Sequence, residues 1–98
     1  INKNKRTMAK KIFIVVETYR DDNITDTTEL CGSFISRRKA IEKVNELYKE
    51  RVADYTKSFH DDFNIEKDSD SFILSYNEYE SMCEVTIVEQ ELDETLDM

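Results

Sequence analysis

The sequence predicts an α+β domain of ββαββ order, with two β-hairpins forming a four-stranded sheet and one long helix packed on one face. Two blocks rich in β-branched and aromatic residues flank one stretch whose apolar residues recur every three or four positions. With a single glycine and no proline, the chain leaves its turns to Asn, Asp and Ser.

Lys11 to Tyr19 is the first expected strand, with Ile12, Ile14 and Val16 on one face and Phe13, Val15 and Tyr19 on the other. Both faces are apolar, so this strand is expected to be covered on both sides. Arg20 to Asp26 breaks the pattern and supplies the hairpin loop. Thr27 to Ile35 is the second strand, placing Thr28, Leu30 and Phe34 together and Glu29, Cys31 and Ser33 opposite, with Gly32 marking a bulge.

Ser36 stands directly before the helical period, where its hydroxyl can accept a free backbone amide as an N-cap. Ala40, Ile41, Val44, Leu47, Tyr48, Val52, Tyr55 and Phe59 form one stripe, with Glu42, Glu46, Lys49 and Glu50 outside it. Arg37, Arg38 and Lys39 in the first turn oppose the helix dipole, at a cost of about 1 kcal/mol or less. The expected helix is longer than the strands and should overhang the sheet or fray. His60 to Ser71 is polar and is expected to be a loop. Asp70 to Tyr76 and Ser81 to Gln90 form the second hairpin across a turn at Asn77 to Glu80.

At 98 residues the chain suits one domain, expected over 11–90. A basic segment, 1–10, precedes it, and residues ahead of Met8-Ala9-Lys10-Lys11 read as a tag or disordered tail; an acidic, mobile tail, 91–98, follows. The longest apolar run, Ile12 to Val16, is far shorter than a membrane span. The absence of a secretory-type apolar start and of a cysteine framework makes cytoplasm the expected location. Cys31 and Cys83 are expected to be free thiols buried in strands.

Several chemistries lack their signatures. One glycine excludes the glycine-rich phosphate loops. His60, with Asp21, Asp22, Asp61 and Asp62, has neither a calcium-loop nor an HExxH spacing, and these carboxylates are expected to be solvated loop charge. His60 is the only base available to either cysteine and lies in a loop away from both. No catalytic residue, metal ligand or cofactor is expected, and the chain is expected not to be an enzyme.

Fourteen basic against 22 acidic residues give a net charge of −8, which opposes direct binding to nucleic acid or to an anionic membrane. Two candidate surfaces remain. If the helix covers Ile12, Ile14, Val16, Leu30, Phe34, Phe72, Leu74, Val85 and Ile87, then Phe13, Val15, Ile73, Met82 and Val88 face outward as an interface for a protein partner or a second copy. Residues 78–98 hold eight acids and no base. Glu78, Glu80, Glu84, Glu89, Glu91, Asp93 and Glu94 are therefore a candidate acidic surface, able to occupy a basic protein as a nucleic-acid mimic encoded by a phage or mobile element would.

The run Lys11-Ile12-Phe13-Ile14-Val15-Val16-Glu17, the acidic hairpin loop, and Phe34-Ile35-Ser36 leading into Arg37-Arg38-Lys39-Ala40 resemble a loosely defined group of uncharacterised short acidic α+β proteins of bacterial and phage type. The resemblance covers about the first half of the chain. It implies no activity and no site residue.

Overall fold

A computed structural model describes residues 10–21 and 25–92. Strands β1 (Lys10–Arg20) and β2 (Thr27–Phe34) precede helix α1 (Arg37–Phe59), and β3 (Asn64–Lys67), β4 (Phe72–Tyr76) and β5 (Ser81–Leu92) follow it. The α+β class is as expected, but the sheet has five strands rather than four, in the order β2-β1-β5-β4-β3, with every neighbouring pair antiparallel. The additional strand lies inside the expected loop. Asn-Ile-Glu-Lys is exposed along its whole length and carries no alternation of burial, so no period-two signal marks it. It is held at the sheet edge by β4 alone, where its charged residues discourage further pairing. β5 runs to Leu92, two residues beyond its expected end, and β1 begins at Lys10. Asp93, Glu94 and the rest of the expected tail lie outside the described residues, as do residues 1–9.

Ser36 caps α1 as expected, accepting the Lys39 amide at 3.3 Å. The helix ends at His60, whose N–H still donates to the Thr56 carbonyl at 2.8 Å while its positive φ (59°, with ψ −117°) turns the chain out of the helix. Ala40, Val44 and Leu47 are buried against the sheet. The last turns are held by aromatic contacts: Tyr55 meets Phe59 and Phe63 edge to face, and Phe59 stacks on Tyr76 at 3.9 Å. The expected overhang does not arise, because the 11-residue β1 and 12-residue β5, at about 3.3 Å per residue, match the 23-residue helix at about 1.5 Å per residue.

The covered face of β1 is the reverse of the expected one. Phe13 is 9% exposed and Val15 0%, both in the core beneath α1 with Val44, Phe72, Leu74 and Val85. Ile12, Ile14 and Val16 are half-buried and occupy the helix-free face. Leu30, expected under the helix, is 73% exposed.

The cause in β2 is a register shift between Val15 and Val16, where Cys31 and Gly32 together oppose Val15. This bulge reverses the parity of the strand, so Phe34 packs toward the core while Leu30 points away. Glycine is required there: its φ is 157°, and a Cβ would lie 2.9 Å from the Phe34 ring.

The turn between β4 and β5 holds three successive left-handed residues, Asn77 (φ 54°), Glu78 (φ 55°) and Tyr79 (φ 72°). Asparagine tolerates this backbone well, whereas the other two do so at a cost of about 1–2 kcal/mol each. Tyr79 is anchored, since its carbonyl accepts from Arg20 Nη1 at 2.9 Å and its hydroxyl donates to Glu66 at 3.3 Å. Glu78 is exposed and makes no such contact. Glu78→Gly is therefore expected to raise the unfolding free energy by about 1 kcal/mol, read from the urea midpoint at unchanged slope.

Candidate functional site

Two features stand out, one on each face of the sheet. The helix-free face carries an aliphatic band running obliquely over three adjacent strands. Val16 lies beside Leu30 of β2, Ile14 beside Val88 of β5, and Ile12 continues the row toward Leu92. Leu30 is 73%, Val88 44% and Leu92 43% exposed. The polar positions among them are Ser33, Thr86, Gln90 and, opposite Leu92, Lys10. The carboxylates of this face, Glu84 and Glu66, stand in the rows beyond Val16, on either side of Ile73.

Of the residues expected to form the interface, Ile73, Met82 and Val88 are on this face, with Ile73 and Met82 half-buried, while Phe13 and Val15 are on the other. Ile12, Ile14, Val16, Leu30 and Leu92 lie on the helix-free face with the first three. The expected acidic residues do not share one surface. Glu84 is on the helix-free face, and Glu78 and Glu80 sit in the turn. Glu89 lies on the helix side, within 3.0 Å of Lys11 and 4.0 Å of Arg37, and Glu91 has the same parity.

The second feature was not expected. Glu17, at 4% exposure, is buried in the middle of β1 on the helix side. Arg51 of α1 grips it with two hydrogen bonds, Nε donating to Oε2 at 2.6 Å and Nη2 to Oε1 at 2.9 Å. The Cys83 thiol donates to Oε2 at 3.1 Å, and the Cys31 thiol approaches Oε1 at 3.9 Å.

The guanidinium holds the Glu17 carboxyl below the usual carboxylate range, more than offsetting burial, and the carboxylate in turn raises Arg51. Burial, followed by the neighbouring Glu17 charge, pushes both thiols up, so they stay protonated at neutral pH. Both cysteines are free, Cys83 buried and Cys31 half-buried.

This pair opens onto a cavity of about 330 Å3 between α1 and the adjoining ends of β1 and β5, lined also by Tyr19, Tyr55, Met82, Asp21, Glu29 and Asp54. A signal for the pair was present in the sequence. Arg51 falls four residues after Leu47 and seven after Val44, inside the apolar stripe, and Glu17 shares the parity of Phe13 and Val15.

Asp22 lies outside the described residues; among the described ones, His60, Asp61, Asp62 and Asp21 included, no three His, Cys, Asp or Glu side chains could hold a metal ion. No described helix is long and apolar enough to cross a membrane. No family model, curated protein or solved structure matches the chain.

Proposed function

We propose that this chain is a non-enzymatic interaction domain that pairs with a second copy of itself through the helix-free face of its sheet, in the cytoplasm. The observation that carries this is the aliphatic band of Ile12, Ile14, Val16, Leu30 and Val88, free of carboxylates, on a chain of net charge −8. Large contiguous apolar surface is unusual on monomers.

A second copy suits the band for a reason of charge. Two molecules of charge −8 repel unless the surfaces they join are neutral, and this stretch holds no acid. β-branched residues on a sheet face also interdigitate well with a like face, at the spacing of about 10 Å usual for stacked sheets. The two free thiols fit a reducing compartment.

Sedimentation velocity tests the pairing. Wild type is expected at twice the chain mass in the micromolar range, and Ile14→Glu with Val88→Glu at the single mass with its melting transition retained. A wild type that sediments as a monomer throughout that range overturns the proposal.

A further inference from the structure

The cavity beside Glu17 lies on the opposite side of the sheet from the aliphatic band, and its chemistry is of a different kind. Its lining combines four carboxylates, Glu17, Asp21, Glu29 and Asp54, with one guanidinium, Arg51. Two tyrosines contribute to its walls. Tyr19 is tied down by its hydroxyl, which donates to Glu29 at 3.2 Å, and Tyr55 by its ring contacts with Phe59 and Phe63. Both rings are thus placed before any ligand arrives, which removes part of the ordering cost of binding.

A buried ion pair is an expensive way to fill a core, because taking both charges out of water offsets most of their attraction. Buried pairs of this kind that line a cleft mark candidate binding sites. At about 330 Å3 the cavity lies at the small end of the range for organic ligands. An anion would meet Asp21, Glu29 and Asp54 at the mouth. No three ligating side chains converge as a metal ion requires.

We propose that this cleft binds an organic cation, an ammonium group on an apolar stem, with the stem between the rings of Tyr19 and Tyr55 and the charge among Asp21, Glu29 and Asp54. Carboxylates supply the attraction that a neutral ligand of the same shape lacks, and the ring faces cover the apolar stem. Arg51 keeps the inner end of the cleft neutralised, which sets the charge at the mouth. The same ammonium could belong to a free amine or to a lysine side chain of another protein.

The test is titration of the full-length, 15N-labelled chain at physiological salt with benzylamine, with benzyl alcohol as its neutral counterpart, and with N-acetyl-lysine-N-methylamide. Benzylamine is expected to give saturable shifts at the amides of Arg51, Tyr55 and Cys83, with benzyl alcohol weaker by about tenfold or more. Glu29→Gln with Asp54→Asn, both exposed positions, is expected to weaken benzylamine by about tenfold, while Glu42→Gln with Glu46→Gln on the outer face of α1 leaves it unchanged. Tighter binding of the lysine derivative than of benzylamine identifies a protein side chain as the source, and the reverse a free amine. Absence of saturation with both amines, equal binding of the alcohol, or equal weakening by the Glu42/Glu46 pair overturns the proposal.

Discussion

Arg51→Met is expected to lower the unfolding free energy by about 3 kcal/mol, toward the lower end of the range for breaking a buried ion pair, since Arg51 itself keeps some access to water. The loss comes from the residue left behind. Glu17 would remain buried among Cys83, Val85 and Val15 with only weak thiol donors. Replacing both partners, Glu17→Leu with Arg51→Met, removes that orphaned charge and is expected to recover stability to within about 1 kcal/mol of wild type. Urea unfolding of the two variants separates an orphaned charge from lost packing, because lost packing would leave the double variant no better than the single.

The pH dependence supplies a check of sign. In wild type the folded-state pKa of Glu17 is depressed by Arg51, so its stabilisation is complete above the unfolded value of about 4.3 and disappears as pH falls through the lower folded value. In Arg51→Met, burial is opposed only by the weaker hydrogen bonds from the Cys83 and Cys31 thiols, and the folded pKa of Glu17 is expected to lie above the unfolded one. The folded state then binds the extra proton, and this group's contribution to stability falls as pH rises from about 4.3 toward neutrality. Equilibrium unfolding between pH 4 and 7, compared with Glu17→Gln in the same Arg51→Met background, isolates the slope.

The second large effect concerns which face of β1 is covered. Val15→Asp is expected to destabilise by more than about 4 kcal/mol, since Val15 is 0% exposed in the apolar core beneath α1 and a carboxylate there would be stripped of water. Val16→Asp, one residue along and on the helix-free face, is expected to stay folded with a loss of about 2 kcal/mol or less. The ratio decides the assignment. Equal losses would mean that both faces are buried within a single chain.

That assignment is also where sequence reasoning stopped. The helix and the burial of Val85 were legible because polar and apolar residues alternate there with the element's own period. In β1 both faces are apolar, so alternation carries no direction, and the one acidic residue, Glu17, belongs to the buried side. Its partner lies 34 residues away, a separation that no local pattern reports.

The bulge at Cys31 and Gly32 adds a second reversal, sending Leu30 and Phe34 to opposite faces although they are four residues apart. Strand β3 was missed for a simpler reason: an exposed four-residue edge strand buries nothing and so has no pattern to show. Of the expected interface residues, the three from the second hairpin are on the helix-free face and the two from β1 are not.

The pairing of two chains through the helix-free face is tested most directly by isotope-filtered nuclear Overhauser spectroscopy on an equimolar mixture of 13C-labelled and unlabelled chains. Intermolecular contacts are predicted between the methyl groups of Ile14, Val16, Leu30 and Val88 of one copy and the same set of residues of the other. Contacts confined to residues of α1 or of the Glu17 cleft, or none in a sample whose sedimentation shows the doubled mass, would contradict it.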